Sequence, residues 1–313
     1  MHIASDFKPG IFSHLLACIA IAGAALSPGL VHASDRFDPL LEEALARDLG
    51  IAPTRYAEYL RLERSAEQRS VAAKRSLGSS YAGDWIEHRR DSSFRHVIGT
   101  SSPDAKIAEQ PAVELRRFRH SLEQLQRTFD ALEAVARQRA NGTDGSLDGV
   151  NAWYVDPRLN MVVVSFAMGS EKSAQDFIHA GGADTDIAQF ATFPGIPQTI
   201  VPIRDSASIA SAKSEQAPIG AIVCRPRAQR GYDCGTITAK NVSVRYGGRG
   251  IVAGLSQSDA CADSADSGGA WTTLDGKRQG VTFGGQFDAG VTGNCWRPRH
   301  QRTTWFGRAD PAP

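Results

Sequence analysis

Residues 261–271 read Cys-Ala-Asp-Ser-Ala-Asp-Ser-Gly-Gly-Ala-Trp. In this stretch, Asp266-Ser267-Gly268-Gly269 places a hydroxyl between a carboxylate and two glycines. A hydroxyl nucleophile needs an exposed turn, small neighbours and backbone N–H groups that stabilise an oxyanion. The motif supplies all three, so it predicts a nucleophile loop in which Ser267 is the reacting residue. Taken alone, the same four residues fit a plain glycine turn equally well.

The sequence around this motif, residues 217–313, has the composition of an all-β domain. It contains 16 of the 30 glycines, and short runs of Val, Ile, Thr and aromatic residues lie between them. Such runs, bounded by glycine, predict strands. They cover residues 220–224, 235–240, 242–246, 250–256 and 280–284. The spacing favours a small barrel of about six strands.

The preceding region, residues 34–203, is predicted to mix helices and strands. Helical segments run from Pro39 to Gly50, from Pro53 to about Gly78, and from an N-cap at Ser121 to a stop before Gly142. Strands are predicted at residues 85–89 and 94–98, and a hairpin spans residues 152–164. A unit of helix plus hairpin therefore occurs twice, before and after residue 105.

The first 33 residues have the pattern of a signal peptide. Leu15 to Leu26 form an apolar run of about twelve residues, too short to cross a bilayer but typical of a signal core. Small residues in Val31-His32-Ala33 predict cleavage before Ser34. The alternative is a buried helix. The signal predicts a chain exported through the periplasm, secreted to the extracellular space and not held in a membrane.

Cysteine usage agrees with export. Removal of the signal peptide takes Cys18 and leaves Cys224, Cys234, Cys261 and Cys295. An even number of cysteines in an oxidising compartment predicts two disulfides, and the sequence leaves three pairings open. Their spacings do not match a zinc knuckle, so neither a metal nor another cofactor is expected.

Charge divides the exported chain into two parts. Residues 34–216 carry 22 basic and 26 acidic side chains, whereas residues 217–313 carry 12 and 7. These opposite net charges predict that the two parts attract each other. A Ser- and Ala-rich linker, residues 204–216, joins them. The whole chain has a net charge of +1, which does not favour nucleic acid as a partner.

Several stretches together resemble one family. Besides residues 261–271, they are Gly231-Tyr232-Asp233-Cys234-Gly235-Thr236-Ile237-Thr238-Ala239-Lys240-Asn241, Trp153-Tyr154-Val155-Asp156-Pro157-Arg158 and Ala82-Gly83-Asp84-Trp85-Ile86-Glu87. They are similar to the α-lytic protease group of chymotrypsin-like bacterial serine endopeptidases, in the precursor form with a long pro-region. The resemblance implies a pro-region that acts as folding catalyst and inhibitor, followed by a double β-barrel protease.

The resemblance also implies the roles of particular residues. The disulfides would be Cys224–Cys234 and Cys261–Cys295. The N–H groups of Ala265 and Ser267 would form the oxyanion hole beside Asp266. Gly284 and Gly285 would pair with the substrate backbone.

The departures from the family pattern concern catalysis. The family's catalytic His and Asp lie on a first barrel, between the pro-region and Gly220. Here pro-region-like sequence continues to Ile196 and second-barrel sequence resumes at Ala217. About 20 residues are too few, because a six-stranded barrel needs roughly 50 or more. We therefore expect the first barrel to be missing, and with it the His and Asp of the triad.

Other residues do not restore the triad in the sequence. His179, followed by Asp184 and Asp186, has the chain order His, Asp, Ser, but lies in pro-region-like sequence. His300 reads as a solvated turn residue. Ala265 stands where the family has Gly, and its Cβ disfavours the backbone geometry of the oxyanion hole. Phe283 stands where a Ser would support the catalytic Asp.

These observations predict an α+β pro-region followed by an all-β half of a double barrel. The expected domains are residues 34–105 and 106–203 for two pro-region lobes and residues 217–313 for the second barrel. The favoured function is a serine endopeptidase precursor with incomplete catalytic machinery, whose partner is its own pro-region. One alternative is an active endopeptidase that cleaves peptides with Ser267 and an unrecognised base. Another is a non-enzymatic pro-region that chaperones or inhibits a related protease in trans.

Overall fold

The computed structural model describes residues 37–140, 147–183, 186–192, 196–199, 216–227, 231–246, 250–288, 291 and 293–307. The expected signal peptide and almost all of the expected linker lie outside these residues. The described helices are α1 (Pro39–Leu49), α2 (Tyr56–Leu77), α3 (Leu122–Ala140) and α4 (Glu171–Ala180). The first three lie where the sequence predicts them, since Asp38 and Ser121 begin helices and Gly50 ends one.

The described strands fall into three groups along the chain. The first group is β1 (Tyr81–His88), β2 (Phe94–Thr100) and β3 (Val113–Arg117). The second is β4 (Val150–Asp156), β5 (Met161–Phe166), β6 (Ala188–Thr192) and β7 (Ile196–Thr199). The third is β8 (Ile222–Arg227), β9 (Gly231–Tyr246), β10 (Gly250–Ser258), β11 (Ala270–Thr273), β12 (Arg278–Phe287) and β13 (Thr304–Gly307). This order of an α+β region and then an all-β region confirms the expected fold class.

The first lobe consists of α1, α2 and the sheet β1–β2–β3. β1 and β2 form a hairpin, and β3 lies parallel to β2. The boundary expected after residue 105 falls between β2 and β3, so this sheet takes its third strand from the region assigned to the second lobe. Helix α2 buries Tyr59, Leu62 and Ala66 on one face, as helical spacing of apolar residues requires.

A buried polar cluster ties α2 to β1 and β2. The Asp84 carboxylate accepts hydrogen bonds from Ser70 Oγ at 2.5 Å, from His96 Nε2 at 2.9 Å and from the Tyr81 hydroxyl. Burial alone would raise the pKa of Asp84, but these hydrogen bonds outweigh burial and hold that pKa below its ordinary value. The folded lobe therefore favours the ionised carboxylate, and this contribution to stability is lost as the pH falls through that pKa.

The second lobe repeats the plan of helix, hairpin and parallel strand. Helix α3 precedes the hairpin β4–β5, and α4 leads into β6, which lies parallel to β5. Its core includes Phe129, Leu132, Trp153 and Phe177. The rings of Trp153 and Phe177 meet edge to face with centroids 5.2 Å apart. Burial of such rings supplies much of the free energy that holds a small lobe together.

The third group of strands closes into a six-stranded barrel. Hydrogen bonding runs through β8, β9, β10, β13, β12 and β11 and returns to β8. β9 is a single 16-residue strand where the sequence predicts two, because Asn241 adopts a left-handed φ of 53° and the chain continues in the sheet. Disulfides join Cys224 to Cys234 and Cys261 to Cys295, which are the pairs that the resemblance implies.

Both lobes contact the barrel. Strand β4 pairs antiparallel with β9, so that Ala152 faces Val244 and Trp153 faces Ser243. From the first lobe, the Ile86 N–H donates to the Ile219 carbonyl at 2.8 Å. Gly220 must be glycine at this point, because a Cβ there would lie 1.8 Å from the Ile86 carbonyl oxygen.

We predict that Asp84→Ala destabilises the chain by about 3 kcal/mol, because it leaves Ser70, Tyr81 and His96 buried without their acceptor. Urea unfolding at neutral pH measures this change. Asp104→Ala is the matched control, since Asp104 is an exposed aspartate in the same lobe. Unfolding of Asp84→Ala at the wild-type urea concentration would show that the cluster does not stabilise the lobe.

Candidate active site

The predicted nucleophile loop connects β10 to β11. Residues Ser264–Asp266 form one turn of 3₁₀-helix, and Ser267 follows with φ −52° and ψ 131°. Gly268 has a φ of 69°, in the left-handed region that favours glycine. A Cβ on Gly269 would lie 3.0 Å from Cδ of Arg225, so a side chain there would require Arg225 to shift. Backbone conformation therefore favours glycine at position 268, and the close arginine favours it at position 269.

Arg225 supports the nucleophile loop through buried ion pairs. Its side chain is 1% exposed, and its Nη2 lies 2.6 Å from Asp266 Oδ2 and 2.9 Å from Asp233 Oδ2. Its guanidinium also lies 5.8 Å from the centre of the Trp271 ring. The ion pair with Arg225 keeps the Asp266 carboxylate buried, whereas Ser267, the next residue, is partly exposed.

Arg227 extends this ion pair into a network. Its guanidinium lies 2.5 Å from Asp233 and 3.1 Å from Asp263, so two arginines on β8 meet three carboxylates. Sequence analysis missed both arginines. Their signal was the run Cys224-Arg225-Pro226-Arg227, a strand with two charges in an otherwise apolar barrel.

Hydrogen bonds within the nucleophile loop engage its backbone N–H groups. The Ala265 N–H donates to Asp263 Oδ1 at 3.0 Å, and the Asp263 N–H donates to Asp266 Oδ2 at 2.7 Å. This reciprocal arrangement is a capping box. Since the Ala265 N–H bonds within the loop, one of the two donors predicted for the oxyanion hole is engaged in this conformation.

The histidines of the described chain make other contacts. His88 Nε2 donates to the Gly220 carbonyl at 2.8 Å, His96 binds Asp84, and His300 lies 3.3 Å from the side-chain nitrogen of Gln301. His120 is buried in the connection before α3, and His179 lies near the end of α4. Within the described residues, no hydrogen bond joins a histidine to Ser267.

The candidate order His179, Asp184, Asp186 is not assembled into a site by the described residues. Asp186 forms an ion pair with Arg119 at 2.8 Å. Asp184 lies outside the described residues. The role of His179 as a base therefore gains no support from its surroundings.

Ser70, Asp84 and His96 bring together the residue types of a catalytic triad, which sequence analysis did not find. Ser70 and His96 both bind the same oxygen of Asp84, Oδ2. A triad requires the histidine to lie between the serine and the carboxylate, where it can take the hydroxyl proton. Here the carboxylate lies between them, so the cluster is structural.

The strand predicted to bind substrate is β12. Gly284 pairs with Thr199 and Gly285 with Gln198, because β7 runs antiparallel to β12. The chain's own segment therefore occupies the backbone positions expected to receive a peptide. Phe283 packs beside a cluster that includes Leu255 and Trp305, so an aromatic core contact replaces the polar support expected there.

The described residues include no group of three His, Cys, Asp or Glu side chains that could hold a metal ion. They also include no helix that is long and apolar enough to span a membrane.

Comparison with known proteins places the similarity in both halves of the chain. Residues 120–185 match the family model of the alpha-lytic protease prodomain. The chain is 24% identical to Streptogrisin-C of Streptomyces griseus over 375 aligned positions, which cover 95% of this chain and 78% of that protein. It is 24% identical to Serine protease 1 of Rarobacter faecitabidus, over 80% of this chain and 59% of that protein.

Similarity is higher over shorter segments. Serine protease 2 of Streptomyces fradiae is 39% identical over 79 residues, which are 25% of this chain and 41% of that protein. The crystal structure of Cellulomonas bogoriensis chymotrypsin is 39% identical over 31% of this chain and 48% of that chain, with a TM-score of 0.25. The chain thus spans less than half the length of these two proteins.

We predict that Arg225→Met destabilises the chain by about 3 kcal/mol, because the buried Asp266 carboxylate loses its closest cation and Arg227 alone remains to pair with Asp233. Urea unfolding followed by tryptophan fluorescence measures the change. Arg245→Met is the matched control: its partner Asp148 is 76% exposed, and a surface pair contributes about 0–1 kcal/mol. Equal unfolding midpoints for the two variants would contradict the role given to Arg225.

Proposed function

We propose that this chain is a precursor of the α-lytic protease type and that its catalytic machinery is incomplete. In this proposal Ser267 occupies the nucleophile position and Asp266 supports the loop, but peptides are not hydrolysed. The pro-region lobes, residues 34–203, act as folding catalyst and inhibitor of the barrel.

The observation that carries the proposal is the surroundings of Ser267. Within the described residues its hydroxyl has no imidazole to take its proton, and the Ala265 N–H is bound to Asp263. A serine hydroxyl without a base is a weak nucleophile near neutral pH. Loss of a triad member removes most of the acceleration, although oxyanion and binding contacts can leave roughly 10³–10⁴-fold over water.

The alignment with Streptogrisin-C supports the loss of the first barrel. It runs over 375 positions, yet 95% of 313 residues is about 297, so about 78 positions lack a residue of this chain. A barrel of six short strands needs roughly 50 residues or more. The number of unmatched positions is therefore large enough to include the barrel that would carry the catalytic His and Asp.

Inhibition by the pro-region is supported by its contacts with the barrel. β7 covers the backbone of Gly284 and Gly285, and β4 extends the sheet at β9. Arg158, at the turn of the β4–β5 hairpin, donates to the Thr238 carbonyl at 2.7 Å. Since the lobes occupy this chain's own barrel, an intramolecular partner is favoured over a related protease in trans.

Export belongs to the same proposal. Both disulfides lie in the barrel, and such bonds persist in oxidising compartments. We therefore place the folded precursor outside the cytoplasm.

We expect no hydrolysis of peptide substrates and no labelling of Ser267 by a fluorophosphonate, because the hydroxyl lacks a base. Mass spectrometry of the labelled chain tests this, with an active bacterial serine protease as positive control and Ser267→Ala as the matched variant. Peptide hydrolysis that Ser267→Ala abolishes would overturn the proposal and would favour the active endopeptidase.

A second test concerns association. After cleavage at a protease site inserted into the linker, residues 204–216, the two pieces should co-elute in gel filtration at moderate salt. Arg158→Ala should weaken their association by about tenfold, because it removes a charged hydrogen bond to β9. Arg127→Ala is the control, since Arg127 pairs with Glu123 on an exposed helix face. Separation of the wild-type pieces would refute the inhibitory contact.

A further inference from the structure

The first lobe and the barrel enclose a cavity of about 420 Å³. Helix α2 and β1 line it on one side, and β9 and the turn between β11 and β12 line it on the other. Glu63 of α2 lies in its wall with 8% of its surface exposed. Neither carboxylate oxygen of Glu63 reaches a hydrogen-bond partner in the described chain. An ionised carboxylate in such a place is costly, because burial removes the water that would stabilise its charge.

Few groups near Glu63 offset its charge. The Tyr59 hydroxyl, one turn before Glu63, accepts the Ile222 N–H at 2.7 Å and keeps its own proton, so it is the one neighbour on α2 whose hydroxyl favours the ionised carboxylate. Across the cavity, Asp275 accepts from Thr273 Oγ1 at 2.5 Å and pairs with Lys277 at 3.4 Å. Glu63 therefore faces a second carboxylate whose nearest cation already binds it.

Charged and titratable groups line the cavity from every element packed against it. From α2 and β1 they are Arg64, Glu67, Lys74, Tyr81 and Asp84, and from the barrel they are Lys240, Asp275 and Lys277. Tyr59 of α2 lies beside Glu63 and also acts on it. Burial raises the pKa of Glu63 most, Asp275 raises it further, and Tyr59, Lys277 and Arg64 oppose them, which places it at about 7. Burial also lowers the pKa of Lys240.

We propose that proton release from Glu63 loosens the docking of α2 on the barrel, so that the first lobe separates from the barrel more readily at alkaline than at acidic pH. The proposal does not depend on the activity of Ser267. It assigns to the pro-region a pH-dependent contact between α2 and the barrel.

The direction follows from which state holds the proton. In the docked state Glu63 has a pKa of about 7, whereas in the separated state water restores the ordinary value of 4.5. Between these values the docked state binds more protons, so docking weakens as the pH rises through this window and changes little above it. A difference of this size corresponds to a change in the docking equilibrium of more than about 100-fold.

His88 is the other titratable group at this interface that acts near neutral pH. It lies on β1 and donates to the Gly220 carbonyl, and burial lowers its pKa. Its protonation at low pH acts in the opposite direction to that of Glu63. Docking should therefore be strongest at mildly acidic pH, and a variant of Glu63 separates the two contributions.

Hydrogen exchange of the full chain between pH 5 and pH 8.5, corrected for intrinsic exchange rates, tests the proposal. In the wild type, protection of the α2 amides should fall about 100-fold across this range, while protection of α3 stays constant. Glu63→Gln keeps the shape of the side chain without its charge and should abolish the fall in α2 protection, leaving only the opposite contribution of His88 at the acidic end of the range. Glu58→Gln on the same helix should behave as wild type, because Glu58 is 39% exposed and paired with Arg55.

Asp275→Asn provides an independent variant if Glu63→Gln folds poorly. It removes the facing charge that raises the pKa of Glu63 in the docked state, so the fall in α2 protection should end at a lower pH and become smaller. A wild-type α2 protection that does not change with pH would overturn the proposal. So would a Glu63→Gln variant that retains the wild-type fall.

Discussion

The structure depends on the backbone pairing of β4 with β9. The second half of β9 bonds to β10 on one side and to β4 on the other, so the barrel and the second lobe share one sheet. A buried carboxylate reinforces the junction: Glu133 of α3 accepts from Trp153 Nε1 at 2.8 Å and also from the Ser243 hydroxyl. An unpaired strand edge invites association with other chains, and this pairing covers it.

Ion pairs and hydrogen bonds, rather than strand pairing, connect the first lobe to the nucleophile loop. At the end of α1, Asp48 accepts the Cys234 N–H at 2.9 Å, and Arg47 donates to the Tyr232 carbonyl at 2.7 Å. The next residue, Asp233, binds Arg225, which in turn binds Asp266. One continuous set of ion pairs and hydrogen bonds therefore runs from a pro-region helix to the residue before Ser267. Removing the lobe would expose these charges and weaken the support of the loop.

The sequence predicted the elements that local signals define. Asp38 and Ser121 begin helices, Gly50 ends one, and glycine-bounded β-branched runs mark the barrel strands. It failed where distant residues decide. Asn241 keeps β9 continuous although its neighbours suggest a break, and β7 is a strand because β12 offers a free edge. The arginines under the loop and the isolated Glu63 depend on contacts across the fold, which spacing along the chain does not encode.

The Asp-Ser-Gly-Gly motif shows why a catalytic signature is separable from catalysis. Gly268 is favoured by its left-handed backbone, Gly269 by the proximity of Arg225, and Asp266 by its buried ion pair. Three of the four residues are thus fixed by conformation, packing and charge, whatever the hydroxyl does. Replacing any of them would disturb the barrel, whereas the base and the oxyanion hole can be absent without cost to folding. A loop of this kind keeps its sequence for structural reasons, and the activity of Ser267 has to be judged from the groups around its oxygen.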